Sequence, residues 1–161
     1  MKTTARSAWI ALSLVGLTLL PSQAKDELRV SYPSKVESSK GKEREKLFSK
    51  WMSSQAVMAH NEEMWKKGQQ LVYFEFDSAQ NLWRTIHSSK LQFKGPYSWR
   101  AFIDEKEMET QLNTEIKIGR QPAFIVRENG AYAMLFVSPE DMDAVRTELK
   151  ELGVGEPKLK K

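Results

Sequence analysis

Cysteine is absent from the 161 residues, which excludes disulfides, thiol redox chemistry, iron–sulfur clusters and thiolate-ligated zinc. Histidine is scarce, with only His60 and His87, so a three-histidine metal centre is excluded as well. An excess of one charge is also missing: 25 basic residues against 21 acidic ones leave a net charge of +4. The aromatic residues sit in apolar stretches rather than between basic ones, and nucleic acid is not expected as a partner. No glycine-rich phosphate loop is present, since Gly95, Gly119 and Gly130 stand alone. The acidic pairs Glu62–Glu63, Glu105/Glu107 and Glu140–Asp141 fall on expected helices, where side chains one or two positions apart diverge. With no nucleophile–base pair visible, neither an enzyme activity nor a cofactor is expected.

Long hydrophobic runs are lacking too. The longest, Trp9 to Leu20, has 12 residues, against the roughly 20 that a membrane-spanning helix needs. Lys2 and Arg6 precede it, and Ser22 and Ala24 stand three and one positions before a cut after Ala24. The pattern predicts a secretory signal peptide over residues 1–24, and hence a periplasmic or secreted protein with no membrane span after cleavage. Pro21 opposes continuation of the run as an anchor helix. Cleavage leaves about 137 residues with a charge of about +2, enough chain for one core.

What is present reads as alternating helices and strands. Residues 25–42 are polar, with Pro33, Gly41 and four serines, and predict a flexible lead-in. Over 43–68, Leu47, Trp51, Met58 and Trp65 recur on one face and no Pro or Gly interrupts before Gly68, which predicts one long amphipathic helix. Leu71 to Phe76 is a strand with a buried character. Asp77 or Ser78 then caps a helix carrying Ala79, Leu82, Trp83 and Ile86 on one side. Strands follow at 97–103, 122–126 and 131–137, with a short helix through Met108 and Leu112 after the first. Asn129-Gly130 joins the last two strands as a two-residue hairpin turn. Ser138-Pro139-Glu140-Asp141 opens a final helix that Gly153 stops, and 154–161 is a basic tail. A helix between the first two strands implies a parallel pair with a right-handed crossover.

That order, over about residues 69–153, resembles the thioredoxin fold: α/β, a mixed four-stranded sheet flanked by helices, here with an extra long N-terminal helix. Three stretches carry the resemblance. Phe102 to Glu105, a short helix, and Ile118 to Phe124 resemble the run leading to the family's cis-proline. The 122–137 hairpin with its capped helix resembles the closing ββα. The strand 71–76 opening into a helix resembles the strand before the redox dithiol. The resemblance places that dithiol near Ala79-Gln80-Asn81-Leu82, where no cysteine stands, so disulfide exchange is not carried over. It further implies a cis Gln121–Pro122 bond and a peptide-gripping edge made by Asp77, Ser78, Ala79, Gln80 and Asn81 with Arg120, Gln121 and Pro122.

The expected function is therefore a non-catalytic, thioredoxin-like protein-binding or assembly module of the bacterial envelope, of the kind found in conjugative-transfer or secretion systems. Its expected partner is another envelope protein or an extended peptide, and a homodimer through the N-terminal helix is a further expectation. Two alternatives stand beside it. Met58, His60 and Met64 on one helix offer thioethers and an imidazole, ligands that suit Cu(I), although they also read as an apolar face with His60 at its margin. The stretches around Gly95–Met108 and Gly130–Met142 resemble each other with a one-residue slip, as in chloroplast-import proteins of the Tic22-like type built from paired strand–helix halves with a chaperone role.

Overall fold

The computed structural model describes residues 27–161; the expected signal peptide lies outside the described residues. In chain order the elements are β1 (Arg29–Tyr32), α1 (Gly41–Glu45), α2 (Ser54–Lys66), β2 (Gln70–Asp77), β3 (Leu82–Ser88), β4 (Ser98–Phe102), α3 (Glu105–Lys117), β5 (Gln121–Glu128), β6 (Ala131–Val137), α4 (Met142–Glu151) and β7 (Lys158–Lys160). Every sheet is antiparallel: a β1–β7 ribbon, a β2–β3 hairpin, and a three-stranded sheet in the order β4-β6-β5.

The three-stranded sheet is the middle layer, and alternate residues of its strands explain why it has two cores. Ile125, Tyr132, Met134 and Phe136 face one way, toward Met108 and Leu112 of α3 and Leu28, Val30 and Leu159 at the ribbon. Phe124, Val126, Ala133, Leu135 and Val137 face the other, toward Leu71 to Phe74 of β2 and Met142, Val145 and Leu149 of α4. Fully burying one such large apolar side chain stabilises by roughly 1.5–3 kcal/mol before entropy is set against it. The two stretches suspected of internal similarity end up side by side. β4 and β6 pair antiparallel, with α3 and α4 on opposite faces of their sheet.

Several elements form as their residues dictate. Asn129 and Gly130 take φ of 52° and 77°, the left-handed pair of a tight hairpin turn. Asp104 caps α3 by accepting from the Glu107 amide at 2.9 Å. Gly153, at φ 73°, stops the last helix.

The thioredoxin-like architecture is overturned. Residues 71–76 and 122–126 belong to different sheets, no parallel pair exists among the described residues, and no four-stranded mixed sheet forms. The decisive departure follows β2. Asp77, expected as a helix cap, instead accepts through Oδ1 from the amides of Ala79 (2.9 Å) and Gln80 (3.1 Å), closing a reversal. Asn81 takes φ 54°, and the chain returns as β3 rather than as a helix. The helical spacing of Leu82, Trp83 and Ile86 gives way to pairing of Trp83 with Phe76 and Thr85 with Phe74. Tertiary burial outweighs a local period of that length. No cis peptide bond occurs among the described residues, so Gln121–Pro122 is trans.

The long N-terminal helix is corrected as well. It is broken into the five-residue α1 and the thirteen-residue α2. Between them the chain runs extended along the outer edge of β3. The Met52 and Trp83 amides donate to each other's carbonyls at 2.8 Å, and the Ser49 amide donates to Thr85 O at 2.9 Å. Arg84 holds this segment down, with its guanidinium 3.9 Å from the Phe48 ring centroid and 4.7 Å from that of Trp51. Ser53 then caps α2 by accepting from the Ala56 amide at 3.3 Å. The stretch 25–42 carries β1 and the start of α1, and the tail 154–161 carries β7, which closes the ribbon against β1. Among the described residues no helix is long and apolar enough to cross a membrane.

Candidate functional site

The residues expected to form a gripping edge are not brought together. Asp77 to Asn81 form the β2–β3 turn, where Ser78 donates through its amide and hydroxyl to Asn129 O at 3.2 and 2.9 Å. Arg120, Gln121 and Pro122 stand at the opposite end of β5, seven residues or about 20 Å of strand away from that turn. Pro122 is buried, and Arg120 is engaged with Glu115 through Nε at 2.5 Å. Glu115 is itself 2% exposed and also accepts from Ser98 and Gln111. Burial would raise its carboxyl, but these three hydrogen bonds and the Arg120 charge hold it below the usual range. These groups tie α3 to β4 and to the start of β5.

A different concavity has the makings of a site. A groove of about 300 Å³ runs between the first turns of α2 and the outer edge of β4, lined by Ser54, Val57, Met58, Trp83, Trp99, Arg100 and Ala101. Its floor is a packed aromatic group. Trp83 and Trp99 meet edge to face at 5.3 Å between centroids, and Phe74 lies 5.8 and 5.2 Å from them. Trp83 is further fixed by Phe76 at 4.4 Å and by an indole N–H donated to Ser54 Oγ at 3.0 Å. Val57 is buried beneath, while Met58 is 60% exposed at the lip and Ile103, just beyond β4, is 68% exposed.

The backbone at this groove is as telling as the side chains. β4 pairs with β6 on one side; among the described residues no other segment donates or accepts a backbone hydrogen bond on its far side. The β3 edge is covered by Ser49 to Met52, while β5 is met at Ile125, where the Ser34 amide donates to Ile125 O at 2.6 Å and Ser34 Oγ accepts from the Ile125 amide at 3.1 Å. β2 is buried from Gln70 to Glu75. Arg100 lies over the uncovered strand, donating through Nη1 to Trp99 O at 2.9 Å, and makes no ion pair among the described residues.

A second cavity, of about 390 Å³, lies between α1, the hairpin and α4 and is lined by charged groups already satisfied from within. Arg44 donates to Leu152 O at 2.8 Å, Lys90 pairs with Glu148 and Glu151, and Ser88 donates to Glu148 at 2.7 Å. His87 turns its Nε2 to Asn61 Oδ1 at 2.8 Å, so Ser88 and His87 do not form a nucleophile–base pair.

The helical trio proposed as copper ligands is separated by the packing of α2. Met58 belongs to the aromatic groove, whereas His60 meets the ring of His87 edge to face at 5.3 Å. Among the described residues no cluster of three or more His, Cys, Asp or Glu side chains forms. Burial of His87, and then the neighbouring His60, press its imidazole down to about 4, so the ring is neutral near pH 7.

No protein-family model, no curated protein and no solved structure matches this chain. The groove residues Trp83, Trp99, Arg100 and Ala101 escaped sequence reading because Trp83 was expected on a helix and the strand carrying Trp99 was given no edge position. The available signal was the charge at Arg100 inside an otherwise apolar strand, a mark of an edge position.

Proposed function

We propose that this protein is a binding module that captures an extended segment of a partner protein by adding it as a strand to the outer edge of β4. The observation that carries this reading is the uncovered backbone edge of β4 facing an aromatic floor, where the nearby β3 edge is already covered and β2 is buried. Main-chain hydrogen bonds to β4 would supply affinity, and alternate side chains of the incoming strand would enter the groove over Trp83 and Trp99. Arg100 favours a segment with a carboxylate beside its apolar positions. If the leader at 1–24 functions as its pattern implies, the partner is a protein of the periplasm or one exported through it. An assembly role in an envelope system fits such a module.

The test uses a ten-residue peptide in which Val and Ile alternate with Thr and Glu, and a second copy N-methylated at alternate residues. Tryptophan fluorescence of the folded protein should respond saturably to the first peptide and not to the second. Met58→Asp, at an exposed position, should weaken binding at least about tenfold with an unchanged melting temperature. Equal binding of both peptides, no response to either, or an affinity indifferent to Met58→Asp would each refute strand addition here.

A further inference from the structure

The cavity of about 390 Å³ between α1, the hairpin and α4 holds its charged groups from within but does not neutralise all of them. Lys40 lies 3.6 Å from Glu43, and Lys90 lies 3.4 and 2.8 Å from Glu148 and Glu151. Arg44 has no such answer. It is 9% exposed, and its Nη1 donates to Leu152 O at 2.8 Å and to Glu37 O at 3.4 Å. Leu152 ends α4, so the negative end of that helix orients the guanidinium and offsets about half a charge. Among the described residues no carboxylate pairs with Arg44. Glu75, which feels its field, is committed to Arg84.

The unused edge of this guanidinium is the telling part. Among the described residues Nε and Nη2 of Arg44 donate to no protein atom, yet neither is shut away from solvent. Since Arg44 lines the cavity, these donors open onto it. Nε–H and one Nη2–H run parallel and form the fork that takes a carboxylate. Arg84 presents the same edge to Glu75. A cation so enclosed is costly to hold without a full countercharge.

The rest of the lining narrows the ligand. Leu47, Val72, Ile86 and Leu152 offer an apolar surface. Glu43, Glu148 and Glu151 equal Lys40, Arg44 and Lys90 in number, so a second negative charge on the ligand would meet carboxylates. The volume lies at the lower end of the range of about 300–1,000 Å³ for small-molecule sites.

We propose that this cavity binds a small aliphatic monocarboxylate, whose oxygens take the Nε and Nη2 hydrogens of Arg44 while its hydrocarbon body rests on Leu47, Val72 and Ile86. The cavity shares no residue with the strand-addition groove, so either reading can fail without the other.

Isocaproate is the probe, titrated into the protein at neutral pH and followed by methyl resonances. Those of Leu47, Val72, Ile86 and Leu152 should shift saturably with one molecule bound per chain, while Val57 and Met58 in the groove stay still. The uncharged isocaproamide should bind at least about tenfold more weakly, and inorganic phosphate should also be the weaker ligand. Leu47→Asp, at an exposed position on the lining, should weaken isocaproate about threefold or more with an unchanged melting temperature. Arg44→Met should abolish saturation; where melting curves show that variant unfolded, Leu47→Asp and the amide carry the test. Absent or unsaturable shifts, equal affinity for acid and amide, tighter binding of phosphate, or an affinity indifferent to Leu47→Asp would overturn the assignment.

Discussion

Replacing Arg84 with methionine is the perturbation that best probes how the chain between α1 and α2 is held. The guanidinium is 15% exposed and donates through Nε and Nη2 to Glu75 Oε2 at 2.8 and 2.7 Å. Its Nη1 reaches Glu45 at 2.5 Å, and its face covers Phe48. Methionine keeps the stem and removes the charge, leaving the Glu75 side chain, 7% exposed, without its ion-pair partner. Removing one partner of a buried pair costs about 3–5 kcal/mol, whereas the exposed Glu45 arm contributes only about 0–1. A loss of that size lowers the melting temperature by roughly 8–20 °C in a chain of this length. The pH dependence separates this cause from lost packing. Burial already raises the Glu75 carboxyl above its ordinary value despite the opposing hydrogen bond and charge of Arg84, and without Arg84 it rises further. An acid whose folded value is raised binds protons in the native state that the unfolded chain releases, so stability is gained as pH falls through that window. Arg84→Met should therefore be most destabilised at pH 8 and recover toward wild type near pH 5, in urea unfolding followed by circular dichroism. Adding Glu75→Leu should restore much of the loss at neutral pH. A loss below about 1 kcal/mol at pH 7, or one constant from pH 8 to 5, would refute the account.

Two further outcomes follow from the packing. A Cβ at Gly95 would overlap Ser138 Oγ and sit 2.5 Å from Ser138 Cβ, in a turn whose Lys94 and Gly95 amides both donate to buried Asp141. Gly95→Ala should therefore cost about 1–3 kcal/mol, while Gly41→Ala, with nothing within 4 Å, should be neutral or stabilise by up to about 1 kcal/mol; chemical denaturation of the two variants side by side checks both. At His87, the native imidazole stays neutral down to about 4, whereas the unfolded one protonates near 6.5. Stability is thus intact above about pH 6.5 and falls toward pH 4, by about 1–2 kcal/mol once solvent screening of the half-buried ring is allowed for. His87→Gln should lose that part of the pH dependence in urea titrations at pH 7 and 4.5, and an unchanged slope would show that the ring is not held neutral.

Much of the strand content was legible because it rests on short-range chemistry. Leu71 to Phe76, the Asn129-Gly130 hairpin and the Ser138-Pro139 helix entry each carry their own signal within a few residues, and each is found where expected. The errors arose where two local codes overlap. Asp77-Ser78 suits a helix start and an Asx turn equally, and only the availability of Phe74 and Phe76 as pairing partners makes Leu82 to Ser88 a strand. Leu47 to Met52 has helical spacing too, but the β3 edge offers it backbone partners and Arg84 a clamp, which a lone sequence period cannot reveal.

Those two misreadings determined the functional ones. A helix after β2 implied a parallel crossover, and the thioredoxin resemblance built on it implied a gripping edge at Gln121. A hairpin there instead leaves β4 at the margin of its sheet, moves Trp83 across to meet Trp99, and carries His87 to the seam where α2 brings His60. The turn at Asn81 therefore sets the groove and the histidine contact at once. Its φ of 54° is tolerated by asparagine and strained for β-branched residues, so this one reversal is the local choice on which groove and histidine pair both depend.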